Sequence, residues 1–240
     1  MKSLAESFEI VRQQIADDCA TAGRSPESVA LLAVSKTRSA DEIRAAADTG
    51  QIAFGENYLQ EALEKIEALG DLNLEWHFIG PIQSNKTRPI AENFAWVHSV
   101  DRLKIAQRLS SQRPHYAKDL NICLQVNISA EEQKAGCSAG ELPQLAREVA
   151  ALPKICLRGL MVIPEATDDI QLLRTRFRET AELLAELKPE IPTLDTLSMG
   201  MSGDLDAAIA EGATIVRVGT ALFGPRNYPN SHSSSSSNSL

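Results

Sequence analysis

The chain has 240 residues, a formal net charge of −8 and a pI near 5.1. This balance argues against a nucleic-acid or anionic-membrane surface, although a local basic pocket for a small anion is compatible with it. The length suits one large α/β domain, since α/β barrels commonly reach about 200–250 residues. Residues 3–18 carry an amphipathic helical pattern instead of a signal peptide, so we expect a soluble cytoplasmic protein.

Apolar runs typical of strands alternate along the chain with segments of helical periodicity. The first element is a helix predicted over residues 3–22. Eight strands are predicted after it, at residues 29–35, 51–54, 75–79, 96–99, 121–127, 156–162, 193–197 and 214–218. Ser39, Ser99 and Ser202 each precede acidic residues, which is typical of a helix N-terminus. Eight strand–helix units predict a single (β/α)8 TIM-type barrel, with the N-terminal helix packed outside it.

The composition changes near the C-terminus, where a serine run has no apolar residue to bury before Leu240. We therefore predict the barrel over residues 1–228 and a disordered tail over residues 229–240. The four cysteines, Cys19, Cys123, Cys137 and Cys156, form no C-x-x-C pair and have no histidine at ligand spacing. Neither disulfides nor a metal site is expected.

Lys36 ends the first strong strand signal. Because burying an ammonium is costly, a lysine at this point usually reaches into a polar opening or takes part in chemistry. In an arbitrary α/β domain, a solvated lysine at the start of a loop is the more common explanation. In a barrel, however, the carboxyl ends of the strands form the ligand-binding face. A neutral lysine amine there can form a Schiff base.

A loop of small residues, with Ser198, Gly200 and Ser202, follows the seventh strand. Small residues allow backbone amides to converge on an anion, and barrel phosphate sites often use the loops after strands seven and eight. Gly219 and Thr220, after the eighth strand, add an amide and a hydroxyl. Ordinary turns use the same residues, so the loop composition alone does not distinguish a phosphate site from a turn. A lysine facing a phosphate site nevertheless predicts pyridoxal 5′-phosphate (PLP).

Three further residues have two interpretations each. Arg217, in the eighth strand, either faces the barrel opening or has a buried partner. If Arg217 faced the pyridine nitrogen of a cofactor, it would donate a hydrogen bond and keep its proton. The ring nitrogen would then stay unprotonated, which disfavours carbanion chemistry. Asn57 either hydrogen-bonds a cofactor oxygen or caps the next helix, and the spacing favours the cap. His77 is either a general acid or a hydrogen-bonded core histidine, with the second favoured.

Six segments in the same order resemble the pyridoxal phosphate homeostasis protein family. They are residues 33–37, 54–58, 76–86, 158–161, 198–202 and 217–220. The segment that contains His77 is especially specific, and the resemblance extends from about Ser3 to Tyr228. The serine-rich tail departs from the family pattern.

The resemblance implies a barrel similar to the N-terminal domain of alanine racemases, with PLP on Lys36 as a Schiff base. It also implies a cofactor shell of Asn57, Ser198, Gly200, Ser202, Arg217, Gly219 and Thr220. Members of the family are regarded as keeping the PLP pool in balance without a demonstrated reaction. The expected partners are PLP and PLP-dependent apo-enzymes, with no nucleic acid, no membrane and a monomeric chain.

Two other functions remain open. A weak PLP-dependent racemase or lyase is one, because the barrel resembles that of alanine racemases. Those enzymes add a C-terminal β-domain and a second base, for which we expect no room after Tyr228. Racemisation needs a base on each face of the α-carbon, and Lys36 supplies one. The other is a signalling module read by a partner protein through apolar residues around Pro89 and Ile90.

Overall fold

The computed structural model describes residues 2–129, 131 and 135–225 of the chain. The predicted tail over residues 229–240 lies outside the described residues, so its disorder stays a prediction. The end of the predicted barrel domain, residues 226–228, lies outside them as well.

Eight parallel strands form a closed barrel in chain order, which confirms the predicted (β/α)8 fold. They are β1 Ala30–Val34, β2 Ala53–Glu56, β3 Glu75–Phe78, β4 Trp96–Val100, β5 Leu120–Val126, β6 Ile155–Val162, β7 Thr196–Ser198 and β8 Ile215–Val218. Pairing of β8 with β1 closes the barrel, for example at Ala30 and Ile215. All eight carboxyl ends therefore meet at one end of the barrel.

β1 and β8 begin one residue later than predicted, and two other strands begin later still. β2 begins at Ala53 instead of residue 51, because the Gln51 side chain donates to the carbonyls of Leu31 and Ala53, both at 2.8 Å. β7 begins at Thr196 instead of residue 193. There a turn, in which the Leu194 amide donates to Ile191 O at 3.1 Å, occupies the predicted start of the strand.

Nine helices surround the barrel in the described part of the chain. They are α1 Leu4–Thr21, α2 Ala40–Ala47, α3 Leu59–Ala68, α4 Thr87–Asn93, α5 Leu103–Gln112, α6 Leu142–Ala150, α7 Ile170–Leu187, α8 Leu205–Ala210 and α9 Thr220–Phe223. The predicted N-terminal helix is confirmed, and a capping box of Ser3 and Glu6 fixes its start. Its Phe8 ring packs edge-on against Phe223 of α9, at 5.9 Å between centroids.

One of the three predicted helix starts is confirmed. Ser39 and Glu42 form a capping box at α2. The predictions at Ser99 and Ser202 were wrong, because α5 and α8 have Arg102 and Asp204 as their N-cap residues. The Ser99 hydroxyl instead donates to Gly80 O at 2.5 Å, a tertiary contact that helix-capping rules do not anticipate.

The core is mostly apolar, and three of the four cysteines are buried in it as free thiols. Cys19, Cys123 and Cys137 are buried, whereas Cys156 is half-buried. Burial raises the pKa of the Cys123 thiol to about 12, so this group is unreactive at neutral pH. Among the helices in the described part of the chain, none is long and apolar enough to cross a membrane.

Candidate functional site

A cavity of about 320 Å³ opens at the carboxyl ends of the strands. Its volume lies within the range of about 300–1,000 Å³ that is usual for small-molecule sites. The lining residues are Val34, Lys36, Arg38, Asn57, Ile79, Met161, Ile163, Met201, Ser202, Gly203, Arg217, Gly219 and Thr220. The structure thus brings together six of the predicted site residues, namely Lys36, Asn57, Ser202, Arg217, Gly219 and Thr220. Ser198 and Gly200 lie behind this lining.

Two lysines lie near the carboxyl end of β1, and Lys36 is the one whose side chain lines the cavity. Lys65, on α3, is 5% exposed and lies behind the wall. Its Nζ donates to Ser35 O and Glu56 Oε1, both at 2.8 Å, and also to Glu61 Oε1. Three acceptors match the three N–H bonds of an ammonium. The Lys65 amine is therefore fully engaged behind the wall, away from the cavity.

Asn57 is not the helix cap that its spacing favours, because Tyr58 is the N-cap residue of α3. The Asn57 Oδ1 atom is buried and has no hydrogen-bond partner among the described residues. Leaving such an atom unsatisfied costs about 1–3 kcal/mol. The backbone of Asn57 is fixed by Gly80, where an added Cβ would lie 2.0 Å from Asn57 O. The NH2 group of the Asn57 side chain is the one that can donate a hydrogen bond to a polar ligand in the cavity, which Asn57 lines.

Arg217 both lines the cavity and has buried partners, so its two predicted interpretations hold together. Its Nη1 donates to Ser198 O at 2.6 Å and to Ser198 Oγ at 2.9 Å, while Nη2 donates to Val162 O at 2.9 Å. Burial lowers the pKa of Arg217 to about 10, which leaves the guanidinium protonated at neutral pH. This fixed cation can donate a hydrogen bond but cannot supply a proton.

A chain of buried hydrogen bonds runs from Arg217 through the barrel interior. Ser198 Oγ lies 2.7 Å from His98 Nδ1, His98 Nε2 lies 2.9 Å from His77 Nδ1, and His77 Nε2 lies 2.9 Å from Glu75 Oε1. The guanidinium only donates and the Glu75 carboxylate only accepts. All bonds are therefore satisfied when both imidazoles are neutral and carry the proton on Nε2.

The electrostatics of this chain agree with neutral imidazoles. Desolvation lowers the pKa of His77, against the opposing effect of Glu75. Burial, with smaller contributions from His77 and Arg217, lowers the pKa of His98 well below its usual value. His77 does not line the cavity, and both of its ring nitrogens have partners. It has the environment of a core histidine.

Ser198 and Gly200 support the cavity from behind. Ser198 is fully buried at the end of β7, where it holds Arg217. Gly200 has a φ of +94°, and a Cβ there would lie 2.6 Å from the Cβ of Ala208 on α8. Only glycine permits this close approach. The tight turn brings the next residues, Met201 to Gly203, into the cavity wall.

Sequence reasoning missed two polar residues that the structure connects to the site. Arg38 lines the cavity, and its Nη2 donates to Gly224 O at 2.6 Å while the guanidinium lies over the Phe223 ring. Its position two residues after Lys36 was an available signal. His98 is the other, and its signal was a histidine inside a run predicted to be a buried strand. With Lys36 and Arg217, Arg38 gives the cavity three cationic groups in an acidic chain, which favours an anionic ligand.

The fold and the site define an alanine-racemase-like barrel with a lysine at its opening. Residues 10–227 match the family described as alanine racemase, N-terminal domain. The chain belongs to the pyridoxal phosphate homeostasis protein family. It is 58% identical over 228 residues to the protein of that name from Pseudomonas aeruginosa, covering 95% of this chain and 98% of that one. Identity to the Escherichia coli protein is 50% over 231 residues, covering 95% and 99% of the two chains.

Solved structures agree with this family. PipY of Synechococcus elongatus without PLP is 41% identical, with a TM-score of 0.79, and covers 88% of this chain and 100% of that one. The PipY structure with PLP bound is 40% identical with a TM-score of 0.76 and the same coverage. An alanine racemase of Clostridium difficile shares the fold at 14% identity, with a TM-score of 0.70 over 92% of this chain and 57% of that one.

Proposed function

We propose that this protein binds PLP in the cavity, holds it as a Schiff base on Lys36 and takes part in PLP homeostasis in the cytoplasm without strong catalytic activity. The observation that carries the proposal is the meeting of Lys36, Asn57, Arg217 and the loops after β7 and β8 in one cavity. The PipY relative with PLP bound and the names of the homeostasis relatives support it. The proposed partners are PLP-dependent apo-enzymes that receive the cofactor, and the proposed state is a monomer.

The residues present fit the groups of PLP. Lys36 supplies the amine for the aldehyde, and the Nδ2 group of Asn57 can donate a hydrogen bond to the neighbouring ring oxygen. Ser202, Gly219 and Thr220 offer hydroxyls and backbone groups to the phosphate, with Ser198 and Gly200 holding their surroundings. When bound, PLP supplies an electrophilic carbon and an electron-withdrawing ring.

The environment of Arg217 supports the low catalytic activity. A guanidinium held by three hydrogen bonds donates to a ring nitrogen without protonating it, which weakens the ring as an electron sink. Among the described residues of the cavity wall, Lys36 is the one side chain with an amine to take up a proton. Arg217 stays protonated, and guanidinium groups, hydroxyls and amides are poor bases. A single base serves one face of a bound amino acid.

Absorbance and reductive trapping test this proposal. The purified protein with PLP should show a visible band that shifts on borohydride treatment, and mass spectrometry should find the adduct on the peptide with Lys36. Lys36→Ala should lose the band and the adduct, because no other amine lines the described part of the cavity. The exposed Lys104 provides a matched control, and Lys104→Ala should retain both signals. An adduct of undiminished yield in Lys36→Ala would contradict the proposal.

A weak racemase or lyase is the second candidate function, favoured by the family match to the alanine racemase N-terminal domain. Incubation of the protein with L- or D-alanine separates the two functions, when the ratio of the two enantiomers is measured over time. Turnover at the usual enzymatic rates of about 1–10³ per second would overturn the homeostasis proposal. The signalling alternative has no such support, since Ile90 is only 1% exposed and packs in the core.

A further inference from the structure

The turn that carries Lys36 has an unusual backbone. The amide of Arg38 donates to Ser35 O at 3.0 Å, which closes a β-turn with Lys36 and Thr37 in its centre. Thr37 has a φ of +65°, and it is one of two non-glycine residues with positive φ in the described ranges. A positive φ at the third position is the pattern of a type II turn, where glycine is the usual residue. For a β-branched threonine this conformation is strained.

A carboxylate from α3 holds the strained residue. Glu61 Oε1 accepts a hydrogen bond from the Thr37 amide at 2.6 Å. The same oxygen accepts from Lys65 Nζ, one turn further along α3. Lys65 also donates to Ser35 O at 2.8 Å. The residues on both sides of Lys36 are therefore fixed to one helix.

Comparison with the alternative conformation of the turn shows which backbone orientation the Glu61 contact stabilises. In a type I turn the third residue has negative φ, and the central peptide is turned over, so the Thr37 amide would leave Glu61. Threonine by itself favours that arrangement, because negative φ relieves the steric strain. The Glu61 carboxylate, supported by the Lys65 ammonium, reverses the preference. The backbone on the carboxyl side of Lys36 then has one orientation instead of two.

We propose that Glu61 is a positioning residue, which holds the Thr37 peptide so that Lys36 is presented to an aldehyde in the cavity. This inference rests on the proposed function and goes further, because Glu61 does not line the cavity. A reacting group held in one geometry before its partner arrives reacts faster than one that must first be ordered. The role of Glu61 is thus to remove an ordering step from the reaction of Lys36.

Four variants test the inference through rescue. Glu61→Ala should slow borohydride-trappable capture of PLP by Lys36 about tenfold, a factor typical of the strain at such a residue. Glu61→Gln should keep most of the rate, because its amide oxygen can still accept from Thr37. Glycine adopts positive φ at no steric cost. Thr37→Gly in the Glu61→Ala background should therefore restore the rate to within about twofold of wild type. Thr37→Gly alone should resemble wild type.

Glu64→Ala is the matched control, because it removes an exposed carboxylate from the same helix and should leave the rate unchanged. A second readout needs no cofactor. Hydrogen exchange of the Thr37 amide should accelerate at least about tenfold in Glu61→Ala and little in Glu64→Ala. Thermal melting checks that each variant is folded. Glu61→Ala should fold, because Lys65 keeps Glu56 as a partner.

The outcomes separate the two proposals. If the wild-type protein captures no PLP on Lys36, the proposed function fails. Unchanged hydrogen exchange of the Thr37 amide in Glu61→Ala would overturn the positioning role, whether or not PLP is captured. If the wild-type protein captures PLP and Glu61→Ala does so equally fast, the positioning role is overturned while the proposed function stands. A slow Glu61→Ala protein that Thr37→Gly fails to rescue also overturns it, because the loss would then not act through the Thr37 backbone.

Discussion

The buried histidine pair predicts a loss of stability on mild acidification. Burial lowers the pKa of His77 and, more strongly, of His98 in the folded protein. In the unfolded chain both should titrate near the ordinary value of about 6.5. Below that pH the unfolded state binds protons that the folded state does not, so stability is present above the unfolded value and falls as the pH is lowered.

The size of the effect follows from the same linkage. A histidine that stays neutral in the folded state contributes about 1.4 kcal/mol between about pH 7.5 and about pH 5.5. His98, which is fully buried and has a pKa well below its usual value, should contribute close to this amount, and His77 should add to the loss in the same direction. Glu56 acts in the opposite direction, because burial raises the pKa of its carboxyl. Glu56 is present both in wild type and in the His98→Gln variant, so its contribution cancels when the stability losses of the two proteins are compared.

Urea unfolding of the cofactor-free protein at the two pH values measures this term. His98→Gln should be less stable than wild type at both values, but it should lose about 1.4 kcal/mol less on acidification. His115→Gln provides the matched control, since His115 is exposed and the variant should lose as much as wild type. If wild type and His98→Gln lose equal stability on acidification, the assignment of a neutral buried His98 is refuted.

Two further variants test the cavity wall and the turn that supports it. Asn57→Ala removes the unsatisfied Oδ1 atom, so the cofactor-free protein should melt no lower than wild type. It also removes the Nδ2 donor, so PLP affinity in equilibrium dialysis should fall about tenfold. A lower melting temperature with unchanged affinity would contradict both expectations. Gly200→Ala places a side chain at a residue with positive φ and against Ala208. Urea unfolding should therefore show that the free energy of unfolding falls by about 1–3 kcal/mol. Gly140→Ala, where an added Cβ meets nothing within 4 Å, should change stability by less than about 1 kcal/mol, and equal losses in the two variants would refute the packing argument.

The barrel was predictable from sequence because its signal is local. Apolar runs long enough for buried strands alternate with helical segments, and each can be recognised without knowing its neighbours. Lys36 and the loops after β7 and β8 were predictable for the same reason, since a barrel places every strand's carboxyl end at one face.

The residues that were missed depend on contacts between distant parts of the chain. His98 gains its environment from Ser198, one hundred positions away. Glu61 reaches the Lys36 turn from α3, which begins more than twenty positions further along the chain. Asn57 was expected to cap a helix, a local rule that does not include the cavity. Ser99 fails as a cap in the same way, since its hydroxyl finds Gly80 instead of the next helix. Such choices are made by tertiary packing.

A crystal structure of the protein soaked with PLP would show whether Lys36 forms the Schiff base. We predict continuous density from Lys36 Nζ to the carbon of the cofactor aldehyde, with the phosphate against Ser202, Gly219 and Thr220 and the ring nitrogen facing Arg217. Density for PLP outside this cavity, or inside it with the amine of Lys36 turned away from the cofactor, would contradict the account.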